Sequence, residues 1–309
     1  METSVKVPVK TKARPGSART YRAQPRWPFL WILPAFLIYF VFKLAPMIAG
    51  FYLALLKWDG INPAKFIGLQ NFTQMIGDPV IGQALLHNAL YAAGTVVGKI
   101  VVSLFLALLL NQALRARAAY RTLLFLPVVM SFVVVGILWS WLFNTQFGLV
   151  NNLLQALHLD FLIADWLGDP KVALWSLMLV DIWKWYGFHM VIFLAGLQQI
   201  SAELYESARI DGASRVRQLL SITLPLLQPV MLVNVTLSLM GAFNVFDIPY
   251  VMTEGGPANS TTVMALDLYR EGFQFYKFGY SAAMSYVLLV IVTVVAAVQM
   301  KLMTRTRID

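Results

Sequence analysis

The apolar run at 172–197 holds an aspartate and a lysine three residues apart, Asp181 and Lys184, beside Trp183, Trp185 and Tyr186. Three residues is close to one helical turn, so the two share a helix face and can pair. A later run at 226–251 holds Asn234, Ser238, Asn244 and Asp247. Aromatic faces beside amides and hydroxyls suit a sugar, whose ring stacks on the aromatic while polar groups meet its hydroxyls. Ionisable residues in apolar segments are costly and mark functional positions by default. The candidate path for a polar solute is therefore Lys99, Asp181, Lys184, Trp185, Tyr186, Asn234, Ser238 and Asn244. The alternative for each is interhelical hydrogen-bond glue, with the tryptophans near an interfacial belt. Asp247 lies near the end of its run, where water can reach it. Lys43 can snorkel. Lys99 lies near the middle of its run, and the sequence names no partner for it.

A second group is polar. Residues 205–229 read YESARIDGASRVRQLLSITLPLLQP in a chain that is otherwise apolar. Ser201 is placed to cap a short helix with Glu203 in its first turn. Gly212 fits a left-handed C-terminal cap. A second short helix starts at Ser214 and runs to about 222, and Pro225 and Pro229 mark the return into the next apolar run. The stretch thus reads as helix, glycine turn, helix. Ser207, Ala208 and Ala213 are small enough for close approach by a partner, while Glu206 and Asp211 offer it charge. An ordinary solvated loop fits the same spacing. A third group, Gly255–Thr261, reads as an outer turn, with Ser260 or Thr261 capping a short helix that runs to about 271.

Catalysis has no constellation here. His87, His158 and His189 are scattered, no nucleophile is paired with a base, and no phosphate-binding glycine loop is present. With no cysteine, neither a disulfide framework nor a cysteine metal site can form. No metal ligand set and no nucleic-acid motif is expected.

These groups need elements to hold them. Of 309 residues, 59% are hydrophobic and 13% charged, whereas a soluble domain carries about 25% charged residues. Six apolar segments are long enough to cross a bilayer, at about 29–56, 83–110, 122–143, 172–197, 226–251 and 281–303. Pro34 and Pro46 are expected to bend the first. Sixteen Lys and Arg fall in the two tails and the loops after the second and fourth segments, five fall in the opposite loops, and three lie within segments. Positive charge marks the cytoplasmic side, which puts both termini and the 205–229 stretch in the cytoplasm. The tail at 1–27 is basic and does not read as a signal peptide, because the apolar run after it is too long and lacks a small-residue cleavage site. The expected fold is an all-α membrane protein with six transmembrane helices. Its domains are a basic tail (1–27), a six-helix transmembrane domain (28–304) that includes the polar loop at about 201–225, and a C-terminal tail (305–309).

Glu206-Ser207-Ala208, then Asp211-Gly212-Ala213, then Leu224-Pro225, resembles the cytoplasmic EAA loop of permease subunits of binding-protein-dependent ABC importers. Ser207 departs from the usual alanine but is still small. The stretches DIWKWYGFHMVIFLAGLQQISAELYESARIDGAS, GAFNVFDIPYVMTEGGPANSTTV, FIGLQNFTQMIGDP and FGYSAAMSYV look like the carbohydrate-uptake branch, the maltose and glycerol-3-phosphate type, first permease of the pair. The resemblance covers most of the chain from the first apolar segment onward.

It implies the type I importer permease fold and a place in the plasma membrane of a prokaryote. It also implies a second permease, two ATPase subunits that hold ATP and Mg, and an extracytoplasmic solute-binding protein, with membrane lipid around the bundle. Tyr205, Glu206, Ser207, Ala208, Asp211, Gly212, Ala213, Leu224 and Pro225 would contact the ATPase. Gly255, Gly256, Pro257, Asn259, Ser260 and Thr261 would meet the binding protein. The solute would be a sugar or oligosaccharide, or in the same machinery a polyol, glycerol phosphate or other small polar solute. An ion-driven secondary transporter is the rival from another class; it would need an ion-coupling site and inverted repeats, and neither is visible. The loop at about 57–82 is too short for the large external domain of the maltose permease, so the binding protein is expected to dock mostly on the other outer loops.

Overall fold

Four helix starts among the described residues are written by local chemistry. Asp78 Oδ1 accepts from Val80 N at 2.9 Å and Pro79 follows at the first helical position, where a missing N–H costs nothing. Ser131, Ser201 and Ser214 each accept from a first-turn amide with the side-chain hydroxyl oxygen. The computed structural model describes residues 27–112 and 115–305. The expected basic tail at 1–27 lies almost wholly outside these residues, as does the end of the C-terminal tail at 306–309.

The chain divides into two units, residues 1–48 and 49–309. The first unit holds α1 (Trp27–Tyr39), a widened helical turn at Phe40–Leu44 and the start of α2 (Ala45–Ala54). Pro46 has no N–H to give to the preceding turn, and the widened turn sits immediately before it.

The second unit continues with the strand pair β1 (Leu56–Lys57) and β2 (Lys65–Phe66), antiparallel, and then α3 (Gln70–Ile76) and α4 (Pro79–Leu110). It goes on through α5 (Arg117–Val129), α6 (Phe132–Leu142), α7 (Leu149–Ala156) and α8 (Ala173–Leu197). Next come α9 (Ala202–Ile210), α10 (Arg215–Gln218), α11 (Leu224–Leu226) and α12 (Gln228–Phe243). Last are α13 (Asp247–Thr253), α14 (Met264–Tyr269) and α15 (Phe278–Arg305).

Four described helices are long and apolar enough to cross a membrane: Trp31–Ala54, Pro79–Leu110, Ala173–Leu197 and Phe278–Lys301. Two bent pairs raise the number to as many as six. The segment expected as one span at 122–143 is α5 and α6, bent by 98°. Pro127 interrupts the ladder, Met130 is extended (ψ 144°), and Ser131 caps a new helix. The segment expected at 226–251 is also corrected. Its helix α12 ends at Phe243, and α13 begins afresh at Asp247 after a non-helical break. At its other end, Arg215–Leu226 meets α12 at 70°.

Helix α4 shows how the bundle is organised. Its buried face carries Asn88, Thr95, Lys99 and Ser103 beside three alanines and the larger Ile81, Tyr91 and Leu110, while Val97, Val101 and Phe105 are exposed. Polar in and apolar out suits lipid as the solvent. On α4, Gly94 and Gly98 bring α8 close: a Cβ on Gly94 would lie 2.7 Å from Met178 Sδ, and one on Gly98 would collide with Ile182. This small-xxx-small spacing lets two helices approach nearly backbone to backbone. On another face of α8, a Cβ on Gly187 would strike the carbonyl oxygen of Leu124 in α5. Helix α8 is therefore the packed centre, clamped between α4 and α5.

Candidate functional site

The centre of α8 presents Asp181, Trp185, Phe188 and His189 to one cavity of about 400 Å³, completed by Lys99, Phe132, Ser238, Asn244, Phe246 and Asp247. Offsets of four, seven and eight residues from Asp181 keep these side chains on one helix face. The break after α12 supplies the opposite wall, because the chain leaves helical geometry at Asn244–Phe246. Non-helical backbone at this depth is tolerated where it is buried in protein or lines a cavity.

The structure corrects the expected Asp181–Lys184 pair. Asp181 Oδ2 instead meets Lys99 Nζ at 2.5 Å, with the side chains 5% and 3% exposed. Lys99 thus gains the partner that the sequence did not name. Lys184 points the other way, into the break between α5 and α6, where its Nζ donates to the carbonyls of Met130 (2.6 Å), Val128 (3.3 Å) and Pro127 (3.4 Å). It also lies 4.6 Å from the centroid of Phe132. An ammonium at a helix C-terminus satisfies carbonyls that have no amide partner. Lys184 is therefore a structural clamp outside the cavity.

Of the other expected path residues, Trp185, Ser238 and Asn244 line the cavity. Asn244 Nδ2 donates to Met240 O at 2.8 Å. Ser238 is 2% exposed, and its hydroxyl has no hydrogen-bond partner among the described residues. Asn234 sits one layer behind, with Oδ1 2.8 Å from His189 Nδ1. Tyr186 is turned away from the cavity by its position on α8 and is not among the lining residues. His189, Phe132 and Phe188 were not expected. For His189 and Phe188 the signal was the helical spacing from Asp181; Phe132 had none, because it depends on the bend between α5 and α6.

The 201–227 region is a separate, exposed feature. Helix α9 buries none of its residues. It ends in a paired turn, in which Gly212 N donates to Arg209 O at 3.0 Å and Ala213 N to Ala208 O at 2.8 Å. This closure needs a left-handed residue after the last helical one, and Gly212 has φ +76°. Gln218 Nε2 then ties to Ala213 O at 2.8 Å, and the Tyr205 hydroxyl meets Thr223 Oγ1 at 3.0 Å. Glu206, Ser207 and Asp211 face outward, together with apolar Ile210 (87% exposed) and Val216 (66% exposed). Leu224 and Pro225 form α11, which leads into α12.

At the other end of α12 the 254–262 turn is held from within. Thr261 Oγ1 donates to Gly256 O at 2.8 Å and lies 2.7 Å from Thr253 Oγ1. Thr262 Oγ1 donates to Gly255 O at 3.2 Å. Arg270 reaches Glu254 O and Asn259 Oδ1. The expected cap by Ser260 or Thr261 is corrected: α14 starts at Met264, whose amide donates to Asn88 Oδ1 on α4 at 2.7 Å. Helix α14 ends at Tyr269, and a widened turn continues it to Gln274. Gly255 and Thr261 are buried, whereas Gly256, Pro257, Asn259 and Ser260 are half-exposed.

Comparison with known proteins agrees with this arrangement. Residues 99–308 match the family described as binding-protein-dependent transport system inner membrane component. The chain is 38% identical to "Probable ABC transporter permease protein YurN" of Bacillus subtilis, over 89% of this chain and 94% of that protein. It is 36% identical to "Lactose transport system permease protein LacF" of Rhizobium radiobacter, over 88% and 92%. Among solved structures it is similar to a chain of a bacterial ABC transporter involved in import of the acidic polysaccharide alginate, with a TM-score of 0.77 and 25% identity over 90% of this chain and 95% of that one. The overall fold is thus shared with an importer permease of known structure, and the chain belongs to the family of inner-membrane components of binding-protein-dependent transport systems.

Proposed function

We propose that this chain is one of two permease subunits of an ATP-driven importer for a sugar or oligosaccharide. An extracytoplasmic solute-binding protein delivers the solute, which crosses between the subunits past the Asp181–Trp185 cavity. The chain crosses the membrane six times, each bent pair counting as one span, with both termini and the 201–227 knuckle in the cytoplasm. The relatives' names support the solute class: lactose, trehalose/maltose and arabinooligosaccharides are each named for one of them. A structure similar in fold is in complex with a pentasaccharide-bound periplasmic protein.

The observation that carries the coupling role is the exposed knuckle. A nine-residue helix without tertiary packing is marginal in water. Helix α9 has no fully buried residue, with only Tyr205 and Ala208 partly covered, yet it is closed by a well-formed glycine turn, ends in exposed Ile210 and is followed by exposed Val216 and Leu220. This is the form of an element that completes its packing on a partner. The partner is an ATPase subunit that holds ATP and Mg; its cleft takes Glu206 and Ala208, while Ala213 packs beside them. Closure of two ATPases brings two knuckles together and shifts the bundle between inward-open and outward-open states. The half-exposed turn at Gly256–Ser260 lies at the extracytoplasmic end and contributes to the binding-protein surface.

The test is gentle detergent co-purification from native membranes. A second permease, two ATPases per permease pair and a solute-binding protein are expected. Recovery of this chain alone, or only with itself, overturns the reading. In the recovered complex, Glu206→Lys is expected to uncouple ATP hydrolysis from uptake with the chain still inserted; normal uptake by that variant removes the docking role of Glu206.

A further inference from the structure

A second cavity, of about 670 Å³, lies at the end of the bundle opposite the knuckle, between the β1–β2 pair and the start of α15. Its rim carries three lysines, Lys57, Lys65 and Lys277. Lys57 and Lys65 are direct cross-strand neighbours. Like charges in that position oppose strand pairing, so this short hairpin keeps them against its own stability. Neither ammonium has an ion-pair or hydrogen-bond partner among the described residues. The acid beside them is occupied elsewhere. Asp59 accepts from Ile61 N, Asn62 N and Asn62 Nδ2 at 3.0, 2.8 and 2.6 Å. Those hydrogen bonds, the Asn62 side chain first, hold its carboxyl down at about 2. Lys277 is already engaged by Glu271 at 2.8 Å.

The cleft is also rigidly built. Buried Asn71 donates to Ala54 O and Leu56 O at 2.8 and 2.9 Å, fixing the hairpin's entry. Gly279 lets α15 lie directly against the carbonyl of Leu56, where any Cβ would collide. Two lysines without an ion-pair partner among the described residues are therefore carried on a well-anchored backbone at the rim of this cleft, with the ionised Asp59 offsetting only one of their charges.

We propose that this cleft is a docking surface for an acidic patch of the extracytoplasmic solute-binding protein, with Lys57 and Lys65 as its charge-reading residues. The proposal rests on the importer reading above and adds the short 57–82 loop to the other outer loops, on which docking was expected mostly to fall. Exposed charges at a protein interface act mainly on association rate and salt dependence. They select a partner of opposite sign without adding much buried area.

The experiment uses the whole complex in nanodiscs of phosphatidylcholine alone, and the solute-binding protein recovered with it as the probe. Lys57→Glu/Lys65→Glu is expected to weaken binding about tenfold at ~0.05 M salt, and most of that difference is expected to vanish by ~0.5 M, where the screening length is only a few ångströms. Lys57→Arg/Lys65→Arg is expected to bind like the wild type. Zero-length carbodiimide coupling is expected to join Lys57 or Lys65 to an Asp or Glu of the binding protein, and to fail at these positions in the arginine variant. Unchanged binding by the charge-reversed complex, with its basal ATP hydrolysis intact, overturns the proposal alone. So does binding that requires anionic phosphatidylglycerol with no cross-link to protein, which makes the cleft a lipid-headgroup site. A wild-type complex that binds no solute-binding protein overturns the importer reading and this proposal together.

Discussion

Removing one member of the Lys99–Asp181 pair is expected to harm the protein more than removing both. With the charges 2.5 Å apart and an effective dielectric of about 20, their attraction is ~6–7 kcal/mol. Burying them costs several kcal/mol per ion, so the pair as a whole comes out near neutral against an apolar replacement. Lys99→Met leaves the Asp181 carboxylate in a site where the side chain is 5% exposed, with His189 and Asp247 as the other titratable groups on the cavity wall. A single truncation of this kind costs about 3–5 kcal/mol, which in a chain of this size lowers the unfolding midpoint by on the order of 5–10 °C. Asp181→Asn strands the lysine and is expected to cost a similar amount. The double variant Lys99→Met/Asp181→Leu is expected to recover most of the loss, giving a coupling energy of several kcal/mol in a double-mutant cycle. The assay is thermal unfolding of the detergent-purified complex, followed by tryptophan fluorescence. Wild-type stability in Lys99→Met, or a double variant that loses the sum of the two singles, would refute the reasoning, since either result means that the charges do not sense each other. Uptake measured alongside separates stability from transport: a double variant that is stable but inactive places the pair on the solute path.

Gly212 needs its backbone conformation and not its small size, because φ is +76° and a Cβ would meet nothing within 4 Å. Gly212→Asn is therefore expected to keep the ATPase attached, and Gly212→Val to weaken attachment through a left-handed penalty of about 1–2 kcal/mol or more; full ATPase occupancy on purified Gly212→Val would contradict this. Gly187 and Gly98 are both close-approach positions but differ in what they meet. Gly187→Ala strikes backbone and is expected to destabilise by about 1–3 kcal/mol, whereas Gly98→Ala strikes the movable end of Ile182 and is expected to cost less; the order of their unfolding midpoints checks this. Asp267 is pushed up to about 6, by burial first and then by Glu271 and Asp78. The folded state then holds its proton more tightly than the unfolded chain, so stability is expected to fall as pH rises from about 4 through about 6 and to level off above that. Asp267→Asn is expected to flatten that window in a pH series of thermal unfolding.

The sequence by itself determined the class and the knuckle. Apolar runs long enough for a bilayer follow from composition, because burying unpaired backbone in lipid leaves few alternatives to a helix. The 201–213 element was legible residue by residue, since a serine cap, a nine-residue helix and a glycine turn are each decided within four or five residues of chain. Tertiary structure decided who meets whom across helices. Asp181 and Lys184 looked like a pair because they are one turn apart, yet Asp181 turns to Lys99 on α4 and Lys184 to the carbonyls freed by the break after α5. The lysine that clamps that break lies far along the chain from Pro127, so no local rule connects them. Likewise the start of α14 is capped not by its neighbours Ser260 and Thr261 but by Asn88 of another helix. Local spacing fixes which face of a helix a residue occupies. The rotation of that helix against its neighbours, set here by close contacts at Gly94, Gly98 and Gly187, fixes what the face touches.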